Sequence, residues 1–118
     1  MRRTDRRDYA LLFATAMALG LLLSNTARVA AATLKSVTHT VVIDGMRFEP
    51  QVLAVKVGDT VIWTNHDPFP HTATAQHGQF DSHEIAPGRS WKYVARKAGV
   101  FDYACALHST MVGTLRVE

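Results

Sequence analysis
The sequence predicts an all-β fold, an antiparallel sandwich or barrel of short strands, behind an N-terminal export leader. Three observations carry that expectation. β-branched and aromatic residues gather in short runs, several alternating apolar with polar. Turn residues separate those runs at close spacing. No long stretch after the leader has the period of an amphipathic helix.

The leader is residues 1–32. Arg2, Arg3, Arg6 and Arg7 form a basic start, Ala10 to Leu23 is an uncharged apolar run, and Ser24 to Ala32 is mostly small residues. That order is the signature of a secretory signal peptide, with Val29-Ala30-Ala31 and Ala30-Ala31-Ala32 as cleavage triplets. The run falls short of the ~20 apolar residues a membrane helix needs. Residues 33–118 are therefore expected to be one domain, periplasmic and free of the membrane once the leader is gone. Arg6-Arg7 ahead of Tyr9 leaves open whether export runs by the general or the twin-arginine route.

Val37 to Ile43 is rich in β-branched residues and stops at Asp44-Gly45. Phe48-Glu49-Pro50 marks an edge or a bend, since proline cannot donate to a ladder. Val52 to Val57 places Leu53, Val55 and Val57 on one face, up to the Gly58-Asp59 turn. Val61 to Thr64 brings Trp63 to the core. Asn65 to Pro70 is a loop, and His71 to Gln76 alternates again. After the Pro87-Gly88 turn, Trp91, Tyr93 and Ala95 oppose Lys92, Val94 and Arg96. Gly99 opens Val100 to Cys105, and Val112 to Val117 closes the chain.

Charge removes one class of function. The net charge is +3 over 118 residues. The leader's arginines exceed its aspartates by three, so the rest of the chain balances eight basic against eight acidic residues. No basic excess remains to recognise nucleic acid. The run Arg89, Lys92, Arg96 and Lys97 reads as a solvated strand face.

Cys105 is the only cysteine, so no disulfide can staple the small domain. A lone cysteine in an exported chain points to a reactive thiol or a metal thiolate. Around it the sequence places a thiolate, an imidazole and a thioether as Cys105-x2-His108-x2-Met111, and His71 follows Pro70 upstream. Two imidazoles and a thiolate with a weak axial methionine are the ligand set of an electron-transfer copper site. Sulfur suits Cu(I), nitrogen suits Cu(II), and a shape fixed by the fold serves both. Zinc would take a harder fourth ligand or water. A Cys105–His108 nucleophile pair has no orienting residue or oxyanion-hole signature beside it. His77 and His83 lack accompanying ligands at metal spacing and read as loop histidines.

At these residues the chain resembles the cupredoxins, most closely the amicyanins, with pseudoazurins and plastocyanins more distant. The resemblance runs through Phe48-x-Pro50, Val57-Gly58-Asp59-x-Val61-x-Trp63-x-Asn65-x-Asp67, Pro70-His71, Phe80-Asp81-Ser82, Pro87-Gly88 and Tyr103-x-Cys105-x2-His108-x2-Met111-x-Gly113. The short gap between His108 and Met111 is the amicyanin-like feature. The resemblance implies an eight-strand Greek-key β-sandwich with one type 1 copper at one end, His71, Cys105 and His108 equatorial and Met111 axial. It implies a monomeric, non-enzymatic carrier of single electrons. Its redox partners, a donor and an acceptor, would dock on an apolar patch of Phe69, Pro70 and Leu107 around His108, with Met46 nearby. A module for copper delivery, storage or resistance is the alternative use of the same residues.

Three positions depart from the family pattern. Thr72 stands where an asparagine usually ties the two ligand loops together, which puts their rigidity in question. Leu107 stands where proline is common, so its N–H is expected to give the Cys105 thiolate an extra hydrogen bond. His83 stands where glycine is common.

Overall fold
The computed structural model describes residues 35–118; the leader and its cleavage triplets lie outside the described residues. The described chain forms eight strands: β1 (Thr38–Asp44), β2 (Arg47–Glu49), β3 (Val52–Val55), β4 (Thr60–Asn65), β5 (Thr74–Ala75), β6 (Ser90–Val94), β7 (Gly99–Cys105) and β8 (His108–Val117). They make two four-stranded sheets, ordered β2-β1-β4-β6 and β3-β8-β7-β5. The chain changes sheet at every connection from β2 to β7, which gives the Greek-key sandwich. Among the described residues there is no helix.

Two pairings are parallel, β1 with β4 and β3 with β8, so the sandwich is mixed where the sequence suggested antiparallel strands. The reason lies in the crossovers. After the β1–β2 hairpin the chain passes Pro50 into the other sheet as β3, then returns as β4 alongside β1. Local strand pattern carries no information about that return. β3 also ends at Val55, and Val57 is exposed in the turn, bonded through its amide to the Glu118 carbonyl. Between His71 and Gln76 only Thr74–Ala75 is strand; His71 instead forms an isolated bridge with Ile85.

The core is the space between the sheets. Val41 and Ile43 of β1, Val61 and Trp63 of β4, Phe101, Tyr103 and Cys105 of β7, and Met111, Leu115 and Val117 of β8 are all buried on the period-two pattern of one-sided strands. Trp63 meets Tyr103 edge-on across the two sheets, with ring centroids 5.6 Å apart, and Tyr103 meets Phe48 at 4.7 Å. Aromatic pairs in this geometry add to the burial of their area. β4 and β7 both run toward one end of the sandwich, and Asn65 and Cys105 are their last residues. That end carries His71, Cys105 and His108.

Candidate metal centre
Two loops and a tight turn build the site. β7 ends at Cys105, whose side chain follows Phe101 and Tyr103 on the inward face and is 1% exposed. Ala106 and Leu107 turn the chain, and His108 pairs directly with Cys105. Regular pairing resumes only at Ala104↔Val112, so Ser109, Thr110 and Met111 have no β7 partner. This irregularity brings Met111 inward, where it is buried, in phase with Leu115 and Val117. The x2 spacings on either side of His108 are thus the tight turn and the bulge, and they gather three donors at one end of one hairpin.

The fourth donor arrives from the β4–β5 connection. His71 is fully buried, and its ring lies 5.1 Å from that of half-buried His108. Cys105 Sγ lies 3.8 Å from His71 Nδ1 and 3.8 Å from His108 Nδ1. The ligating atoms of these three residues lie within 4.8 Å of one another, and they are the one such cluster of His, Cys and carboxylate residues among the described residues. Exposed His77 and His83 join no cluster there.

Hydrogen bonds hold each donor. The Thr72 amide donates to Cys105 Sγ at 3.3 Å. Among the described residues it is the one backbone amide that does so; the Leu107 N–H does not, which corrects the expectation drawn from the missing proline. Ala106 and Leu107 are the two-residue turn between paired Cys105 and His108. Thr72 restores what its substitution for asparagine put in question, because its Oγ1 accepts from the Ala106 amide at 2.8 Å and ties the His71 segment to the Cys105 turn. A hydroxyl also reaches across because the Thr72 and Thr74 hydroxyls steady each other at 2.8 Å.

His71 is anchored from its far side. Its Nε2 lies 2.8 Å from Asp67 Oδ2. Asp67 also accepts from the Gly45 amide at 2.7 Å and the Met46 amide at 2.9 Å. Burial pushes this carboxyl up, but donation by Met46, Gly45 and His71 outweighs burial and holds its pKa below the usual carboxylate value. The carboxylate is therefore an acceptor only, so His71 Nε2 donates to it and Nδ1 faces Cys105 Sγ. Asn65 completes the frame. Its side chain accepts from the Asp67 amide and donates to the Phe69 and Ile85 carbonyls. The sequence singled out the four donors but not Asp67 or Asn65 as their supports. The signal was an acidic residue four positions before a candidate ligand inside a tight loop.

On the two segments that carry His71 and His108, apolar side chains reach the surface. Phe69 and Leu107 are 56% and 48% exposed, and Pro70 is exposed beside the buried His71. Met46, on the turn held by Asp67, is 37% exposed.

The donor set is one soft thiolate, two imidazoles presenting Nδ1 and a thioether on the inward face, which suits copper rather than harder cations. Comparison with known proteins agrees. Residues 12–117 match the family model described as a cupredoxin-like domain. Amicyanin-alpha of Methylorubrum extorquens is 29% identical over 120 residues, covering 92% of this chain and 98% of its own. Plastocyanin of Scenedesmus fuscus is 32% identical over 84 residues, covering 60% of this chain and 86% of its own. Among solved structures, the copper-containing nitrite reductase of Thermus scotoductus SA-01 superposes with a TM-score of 0.66 at 30% identity. That likeness covers 72% of this chain but 23% of the reductase, a single domain's worth of a larger protein.

Proposed function
The chain belongs to the cupredoxin family, and from that premise we propose that it is an exported, monomeric carrier of single electrons. Its site would hold one type 1 copper through His71 Nδ1, Cys105 Sγ and His108 Nδ1 together with the Met111 thioether. Bound copper supplies a one-electron Cu(I)/Cu(II) couple. The residues supply everything else. Asp67, Thr72 and the Ala106 amide fix the donors, so little needs to move when the charge changes. Burial of His71, Cys105 and Met111 keeps water off three sides.

The single observation that carries this reading is the convergence of a buried thiolate with two Nδ1 atoms, each 3.8 Å from it. Half-buried His108, preceded by exposed Leu107, and exposed Phe69 and Pro70 just before His71 support the apolar end as the place where a redox donor and acceptor dock in turn. An enzymatic role finds no second ligand cluster among the described residues, and the nitrite reductase relative is a far longer chain.

The test is a visible spectrum of copper-loaded protein followed by voltammetry. An intense thiolate-to-copper band in the red, abolished in Cys105→Ser, with a reversible one-electron wave is the expected result. A loaded protein without that band defeats the reading. A band with no reversible wave, together with rapid copper transfer to an acceptor, would favour delivery or storage.

A further inference from the structure
A cavity of about 280 Å³ lies between β2 and the start of β8. Met46 and Phe48 line it from one side, Thr110 and Met111 from the other. The chain has four methionines, and two of them, at positions 1 and 17, fall in the leader. The other two, Met46 and Met111, line this one cavity. Met111 is buried, whereas Met46 is 37% exposed. The cavity therefore carries one thioether at the surface and a second inside, beside the copper donors.

Met46 is placed there at a cost. Its φ is 60°, the left-handed conformation that glycine takes freely and a residue with a Cβ does not. A side chain held in such a conformation points from geometry to function. The metal donors need a way in. His71, Cys105 and Met111 are all buried, so a metal ion reaches them past half-buried His108 or through an opening that leads to Met111. The β8 wall of the cavity is the irregular stretch of that strand: Ser109, Thr110 and Met111 have no β7 partner, so it can shift without breaking the ladder to β7. Arg47 and Glu49 also line the cavity and oppose each other in charge, so a monovalent cation meets no net repulsion at the rim. Thioether sulfur is a soft donor, and among biological cations it selects Cu(I).

We propose that this cavity is a Cu(I) entry site: the Met46 thioether takes the ion from solution and yields it to Met111, and so to Cys105 and His108. This rests on the copper reading above. No electron moves in the transfer. One copper–thioether bond gives way to another, and the Cys105 thiol releases its proton to solvent as its sulfur takes the metal.

Two measurements test it. In Cys105→Ser protein, which lacks the strongest donor, added Ag(I) should shift the methyl ¹³C–¹H resonances of both Met46 and Met111. A shift of Met111 alone would overturn the proposal. Metal-free Met46→Leu should take up anaerobic Cu(I), supplied in acetonitrile buffer, several-fold more slowly than the parent. Uptake is followed by the ultraviolet thiolate–Cu(I) absorption, and leucine keeps the apolar surface while removing the sulfur. Equal rates would overturn the proposal. A slow variant that also ends with less copper bound would overturn it too, since Met46 would then support the centre rather than admit the ion. Absence of the red thiolate band from the copper-loaded parent would instead remove the copper reading, and the Ag(I) shift of Met46 would then decide the thioether site alone.

Discussion
At the scale of single residues, the departures from the family pattern resolve into backbone physics. His83 occupies a position where glycine is common, and its φ is +54°, the left-handed conformation that glycine takes without strain. The chain tolerates histidine because neighbours fix the turn. The Asp81 carboxylate accepts the His83 amide at 2.9 Å, and Ser82 Oγ donates to the His83 carbonyl at 2.7 Å. Neither bond uses the imidazole, which is exposed and 3.8 Å from Asp81. His83→Gly is therefore expected to raise stability by about 0.5–1 kcal/mol, because relief of roughly 1–2 kcal/mol of left-handed strain is offset by about 0.5–1 kcal/mol of glycine's extra freedom when unfolded. The check is a higher urea midpoint at unchanged m-value; a lower midpoint would mean the imidazole contributes something the turn geometry does not reveal. Thr72 and Leu107 show the same lesson from the other direction. What each does depends on which atom reaches Cys105 or its turn, and that cannot be read from residue type.

At the scale of elements, the β7–β8 hairpin carries most of the chemistry, and one glycine makes it possible. Gly113 lies opposite Tyr103 in the pairing register. A Cβ at Gly113 would overlap the Tyr103 ring, 2.5 Å from its Oη. Tyr103 is hemmed in by Phe48, Trp63 and Phe80, and burial pushes its phenol pKa up to about 12. Gly113→Ala should thus cost about 1–3 kcal/mol through overpacking, read as a lower thermal midpoint. Because Tyr103 is two residues from Cys105 on the same face, the copper-loaded variant should also show a broadened or shifted thiolate band. An alanine variant as stable as the parent would show that the ring has room to move. The hairpin was legible in outline: the sequence placed strands at Val100–Cys105 and Val112–Val117. The structure starts β8 four residues earlier, at His108, because the turn after Cys105 is tighter than the motif spacing suggested.

At the scale of the whole molecule, the sandwich separates a chemical end from a mechanical one. At the end opposite the metal donors, Asp59 gathers the start of β1 and the turn before β4. Its carboxylate accepts the Val37 and Lys56 amides at 2.9 and 3.0 Å, and His39 Nε2 lies 3.0 Å away. The Val37 amide lowers its pKa most, followed by Lys56 and His39, against an opposing effect of burial, to about 2 from an ordinary 3.8. A carboxylate with a depressed folded pKa stabilises the fold above its unfolded pKa and loses that contribution as pH falls through the folded value. Acid unfolding should therefore steepen between pH 3.8 and about 2, and Asp59→Asn should flatten that part of the curve without touching the copper spectrum. An identical acid profile in the variant would remove this role.

The sequence by itself determined the kind of molecule: strand runs and turns set an all-β domain, and Cys105-x2-His108-x2-Met111 with His71 set the donors. Those features are local, so period-two burial and short ligand spacing encode them directly. Only the tertiary structure decided which strands run parallel, that the Asp67 carboxylate stands behind His71, and that Thr72 rather than Leu107 reaches Cys105. Thr72 and Cys105 lie 33 positions apart, β3 pairs Val52 with Thr114, and Asp67 is held against its near neighbour His71 by the Gly45 amide 22 positions away; only the folded chain, through its crossovers and packing, brings such pairs within hydrogen-bond range.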